Sequence, residues 1–177
     1  MPWTDSSPTS RIFTQALLNP ILRAVNAATA PTTYASLTGD ALVKAALFNN
    51  SVSPDASAAV GSTGFNTGTW VTANEVTDAT NWVSGGRALA SKTFSALTAG
   101  SQTTASSIAF DAADTAGGGN VTIANAYGAL VHDGTITGGS TVADQGMCFN
   151  YFGGAQGVTA GTFTIVWDAT GIFKVTN

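Results

Sequence analysis

Residues 161–175 read "GTFTIVWDATGIFKV". Phe163, Ile165 and Trp167 alternate with Thr162, Thr164 and Val166. A period of two belongs to a strand with one buried face. "DATG" (168–171) supplies a turn in which Gly171 can take a positive φ, and Ile172 to Val175 lead the chain back. The stretch therefore predicts a β-hairpin, and its punctuation recurs upstream. From residue 40 onward, Gly, Asn, Asp and Ser clusters separate short apolar runs. Candidate strands are 41–48, 86–95, 105–111, 120–131, 145–152, 161–167 and 172–176, with a shorter piece around 68–71. "ALVKAALF" (41–48) is ambiguous, because its alanines favour helix. "DAADTAGGGN" (111–120) has the composition of a flexible loop. Seven or eight short antiparallel strands predict an all-β domain over residues 39–177, an antiparallel β-sandwich or jelly-roll-like barrel.

Residues 1–38 differ from this body and predict an amphipathic helical arm. Thr9 or Ser10 can cap a helix whose face carries Ile12, Phe13, Ala16 and Leu17. Asn19-Pro20 fits a second helix start, and Ile21, Leu22 and Val25 continue the stripe. The run from Arg11 to Ala30 mimics a signal peptide, but Gln15, Asn19, Pro20 and Arg23 interrupt it, so it reads as amphipathic and retained. The arm either covers the domain's own sheet or reaches a neighbouring subunit. For the second role the candidate partner-binding residues are Trp3, Ile12, Phe13, Leu17 and Leu18.

Composition narrows the function. Charged residues make up 9% of the 177, against roughly 25% in an average soluble domain. A neutral surface of Ser, Thr, Asn, Ala and Gly loses little hydration when it packs on a partner, which favours a subunit of an assembly. The six Lys and Arg residues are scattered singly in a chain of net charge −4. No basic patch displaces phosphate counterions, so nucleic acid is not an expected partner. No apolar stretch reaches the ~20 residues of a membrane-spanning helix, so no membrane partner is expected either. Cys148 is the sole cysteine; it cannot form an intrachain disulfide, and "GMCFNYF" (146–152) reads as a buried thiol.

The stretch "VTANEVTDATNWVSGG" (71–86) holds the only glutamate and is the first candidate for chemistry. Glycoside cleavage needs two opposed carboxylates, and Glu75 and Asp78 are close enough in sequence to supply them. Trp70 and Trp82 could stack on a sugar. The segment is turn-rich, however, and Asp and Asn side chains in turns bond backbone amides more often than they bind substrate. Tryptophans in β-proteins usually belong to the core. His132, the only histidine, stands in "HDG" (132–134), which reads as the end of a strand. No G-x-S-x-G supplies a partner serine. One His and one Cys cannot make a zinc site, and Asp111 and Asp114 miss the EF-hand spacing, though a looser calcium site stays open. The expectation is a protein with no catalytic residues, no metal site and no cofactor.

Five segments point further. "ALVKAALFNNSVSPDAS" (41–57), "WVTANEVTDATNW" (70–82), "GGRALASKTF" (85–94), "AYGALVHDG" (126–134) and "GTFTIVWDATGIFKV" (161–175) resemble, in order and spacing, a family of small structural proteins of tailed phages. The similarity spans about residues 42–176 and leaves residues 1–38 outside it. The resemblance implies a virion protein on the capsid exterior: a decoration (cement) protein, trimeric, whose partner is the major capsid protein. A neck or tail location, or a carbohydrate-binding module on the virion surface, are the other readings. No catalytic role travels with "ANEV" (73–76).

Overall fold

The computed structural model describes residues 11–12, 43–97, 107–113, 115–117, 119–134, 143–169 and 171–175. In chain order these form β1 (Arg11–Ile12), β2 (Val43–Phe48), β3 (Glu75–Val76), β4 (Arg87–Ala88), β5 (Ala90–Leu97), β6 (Ser107–Ala113), β7 (Thr115–Ala116), β8 (Val121–Asp133), β9 (Gln145–Gly161), β10 (Thr164–Ile165) and β11 (Phe173–Val175). Two single-turn 3₁₀ helices, Val60–Ser62 and Thr72–Asn74, interrupt the β2–β3 connection. The described residues contain no α-helix. All pairings are antiparallel. The main sheet runs β1-β9-β8-β2-β3, with β4 also on β2; β11-β6-β5 and β10-β7 are separate.

The main sheet is curled and buried on both faces. On one side, Val43, Ala45 and Leu47 of β2 join Ala129 and Val131 of β8, Trp82, Phe163, Ile165 and Ile172 in the larger core. On the other, Ala46 and Phe48 join Leu130, Phe149, Val52 and Trp70. Five of the six β2 residues are buried for this reason. A strand covered on both sides reads as a continuous apolar run, and its alanines let covering segments approach closely. That resolves "VKAALF" (43–48) as strand: packing on two faces outweighs alanine's helix propensity.

The second core exists because residues 49–74 fold back over the sheet. Trp70 packs edge-on against Phe48 at 5.2 Å and tilted against Phe149 at 5.2 Å. Its turn is closed by Trp70 N–H to Thr67 O (2.9 Å) and Asn66 N–H to Trp70 O (2.9 Å). The strand expected around 68–71 is thus a tight turn that delivers a tryptophan.

Four other expectations change. The two arms of the expected hairpin, 161–167 and 172–176, do not pair with each other: Ile165 lies opposite Thr115, and Phe173 opposite Phe110. The turn between them is present, with Gly171 N–H on Asp168 O at 2.8 Å and Gly171 at φ +109°. The inward alternation is present too, since Phe163 and Ile165 are buried. Alternation selects the inward side chains; it does not select the backbone partner. Residues 111–113 and 115–116, expected as flexible loop, lie in β6 and β7. β9 runs nine residues past its expected end at 152, through "GGAQGVTAG", where no apolar alternation marks a strand. Finally, Arg11 and Ile12, expected in helix, are strand opposite Phe149 and Cys148. The rest of the arm lies outside the described residues, including Trp3, Phe13, Leu17 and Leu18.

Candidate functional site

β3 and β4 both pair with the same edge of β2, Glu75 opposite Phe48 and Arg87 opposite Ala45. The segment between them, 77–86, must therefore leave that edge and return to it, and it is held shut from inside. Glu75 Oε2 accepts from Ser84 Oγ at 2.6 Å, and Oε1 from Gly85 N–H at 2.8 Å. Asp78 Oδ1 accepts from the N–H groups of Thr80 (3.1 Å) and Asn81 (2.9 Å). Its Oδ2 accepts from Thr122 N–H at 3.1 Å, which ties the loop to β8. Asn81 Nδ2 adds a second tie, to Asn120 O at 3.0 Å. Every oxygen of both carboxylates thus serves the loop or its neighbouring strand.

The environment sorts the two acids. Burial raises the Glu75 pKa above the usual 4.5, while the Ser84 hydroxyl and the Gly85 amide pull it down. Asp78 is held below the usual 3.8 by the amides of Asn81, Thr122 and Thr80. Asp78→Ala should leave those three amides without an acceptor and speed their hydrogen exchange by about tenfold, with core amides of β2 unchanged. Asp78→Asn, which keeps an acceptor oxygen, should fall between. Exchange at Thr80, Asn81 and Thr122 that ignores Asp78→Ala would mean the carboxylate does not hold the loop.

His132 reaches the same loop from β8. Its Nε2 lies 3.0 Å from Gly85 O. A carbonyl only accepts, so Nε2 carries the proton and donates. Nδ1 is then a buried lone pair with no partner among the described residues. The ring stacks on Phe65 at 4.9 Å, 15° from parallel. One glycine therefore joins Glu75 to His132, because the Gly85 N–H donates to the first and its C=O accepts from the second. Burial lowers the His132 pKa below 6.5; the Gly85 carbonyl, Asp144 and Asp133 oppose this, and Lys44 adds to it.

The sign of the pH effect follows. The unfolded chain takes up a proton at His132 near pH 6.5, and the folded chain resists until lower pH, so stability falls as pH drops below about 6.5. Glu75 acts oppositely in a window just above 4.5, where the folded state binds its proton first. The urea midpoint should therefore decline between about pH 7 and pH 5.5, and His132→Gln should flatten that decline. An undiminished slope in the variant would assign the effect elsewhere.

The tryptophans are not at this surface. Trp82 is fully buried and stands edge-on to Phe163 at 5.6 Å, and Trp70 lies in the second core. Neither ring can serve as a sugar platform. Cys148 is buried, its thiol pushed up to about 12 chiefly by burial, with Asn150 Nδ2 3.3 Å from Sγ. Among the described residues, no group of three or more His, Cys, Asp or Glu side chains could hold a metal ion. Asp114 lies outside those residues.

Sequence reasoning located the carboxylates and their turn-bonding habit. It missed the Gly85 link to His132, which spans 47 residues and leaves no local signal. Fold and site together define an all-β domain whose acidic 75–86 loop is bonded to itself and to its own sheet. No protein-family model, curated protein or solved structure matches the chain.

Proposed function

We propose that this protein is a non-catalytic structural subunit of a tailed-phage virion, a decoration protein bound to the capsid exterior between capsomers. The observation that carries this reading is where the five family-like segments fall. They supply β2, most of the 75–86 loop, β4 and the first part of β5, residues 126–133 of β8, and the β10–β11 region. The residues they contribute there include core and turn residues, Trp82, Gly86 and Phe163 among them, and their Glu75, Asp78 and His132 bond within the fold. A resemblance built from framework residues supports a shared scaffold, and the self-bonded acids leave binding as the natural role of that scaffold. Three sheets sharing one core support a β-sandwich or jelly-roll-like closure around it.

The physical mechanism is added interface. A shell filled with nucleic acid is under outward stress, and a protein seated where capsomers meet adds contacts that must break before the shell opens. A specific interface buries ~1,600 Å² in total. In a homotrimer each later contact becomes effectively intramolecular, so weak individual contacts suffice. Low charge helps, because little hydration is lost on docking. Within the N-terminal arm, Trp3, Ile12, Phe13, Leu17 and Leu18 are the proposed contacts to the major capsid protein.

Purified particles test this directly. Band intensity in proportion to the major capsid protein is the expected result; a few copies per particle would place the protein in a neck or tail ring, and absence from particles would end the virion reading. Paired Leu17→Asp and Leu18→Asp substitutions should abolish rebinding to stripped particles while the β circular-dichroism spectrum is kept. Removing residues 1–30 is a poorer test, since it also deletes β1 from the main sheet.

A further inference from the structure

We propose that the groove between β9 and residues 163–172 is a binding site for a neutral saccharide. The groove, about 360 Å³, is open to solvent. That volume sits at the lower end of the ~300–1,000 Å³ typical of small-molecule sites. Its lining includes none of Glu75, Asp78, Trp70 or Trp82, and the proposal does not depend on where in a virion the chain resides.

A bulge opens the groove. β8 and β9 pair Ala126 with Gln156 and Gly128 with Tyr151, so Tyr127 alone faces residues 152–155. The extra chain turns at Gly153 (φ +82°) and Gly154 (φ +153°), where an added Cβ would meet nothing within 4 Å. Bulges of this kind re-aim side chains and recur beside binding sites. Here the bulge brings Phe152 over the floor residue Phe163, ring centroids 6.3 Å apart. Phe163 rests in turn on Trp82, so the floor is anchored in the core. The partly exposed Trp167 lines the groove with Phe152, and Asn150, Gln156 and Asp168 supply polar groups.

That lining selects the ligand. Twelve described residues line it, among them no Lys, Arg or His and a single carboxylate, Asp168. Among the described lining residues no cation is present to neutralise a phosphate, sulfate or ligand carboxylate. One carboxylate among amides is too few ligands for a divalent cation. Aromatic faces beside amide and carboxylate groups match a molecule with apolar C–H faces and a hydroxyl rim, which is a pyranose ring. Such a site gains from burying the sugar's apolar face on the rings and from hydrogen bonds that fix its orientation.

Saturation-transfer NMR on the full chain, with maltose, cellobiose, lactose and N,N′-diacetylchitobiose as probes and sialyllactose as the anionic comparator, tests the proposal. At least one neutral disaccharide should receive saturation, and its affinity should fall about tenfold in Trp167→Ala, the loss of one stacked ring. Trp167 also packs against the core, so Gln156→Ala provides a second reading. Gln156 is exposed on β9, and its loss should weaken binding about fivefold without moving the unfolding midpoint. Val83→Ala, at an exposed position outside the groove, should change nothing. Saturation of none of the neutral probes, equal binding by both groove variants and the wild type, or preference for sialyllactose would each overturn the proposal.

Discussion

Gly86→Ala should be the most damaging single-methyl substitution in the 75–86 loop, costing about 3 kcal/mol and roughly 10 °C of unfolding temperature. Two causes combine. Gly86 sits at φ +78°, where an L-residue is strained. An added Cβ would also fall 2.0 Å from Ala45 O, 2.4 Å from Ala45 C and 2.6 Å from Ala46 N. Those atoms are the backbone of β2, the strand buried on both faces, and they cannot move aside as a side-chain tip can. Gly153→Ala separates the causes. It shares the positive φ (+82°) but has nothing within 4 Å of the new atom, so it should cost only about 1 kcal/mol. Equal costs for the two variants, measured by urea unfolding, would mean that the loop does not press on β2 as described.

Trp82→Ala should cost about 3–5 kcal/mol, the range for emptying a large aromatic site in a core. The ring is fully buried and supports Phe163, so its loss opens a cavity beneath the larger core and under the floor of the groove. Trp82→Phe should be far milder, about 1 kcal/mol. The indole Nε1 has no hydrogen-bond partner among the described residues, so phenylalanine gives up volume but no bond to them. Near-wild-type stability for Trp82→Ala would put the ring at the surface and return it to contention as a sugar platform.

The same loop shows how bonding and function divide. Its carboxylates, the first place to look for chemistry, are consumed in closing the chain on itself. The groove, by contrast, draws its aromatic groups from β9 and the 163–172 segment, and neither carries a motif for binding. Phe152 reads in sequence as the last residue of an ordinary strand. Only the bulge beyond it brings that ring together with Phe163.

The chain's order of residues determined the all-β class, the inward placement of Phe163 and Ile165, the buried Cys148 and the turn-bonding role of Asp78. Each follows from local rules: a period of two, the burial of small thiols, and the short reach of an Asp side chain to amides two and three residues on. Only the tertiary structure decided which strands share a sheet, that Thr164–Ile165 and Phe173–Val175 lie in different sheets, that Arg11 and Ile12 pair on β9's edge, and that Gly85 links Glu75 to His132. Backbone hydrogen bonds are the same for every residue type, so strand partners are chosen by how distant apolar faces pack, and no local pattern records that choice.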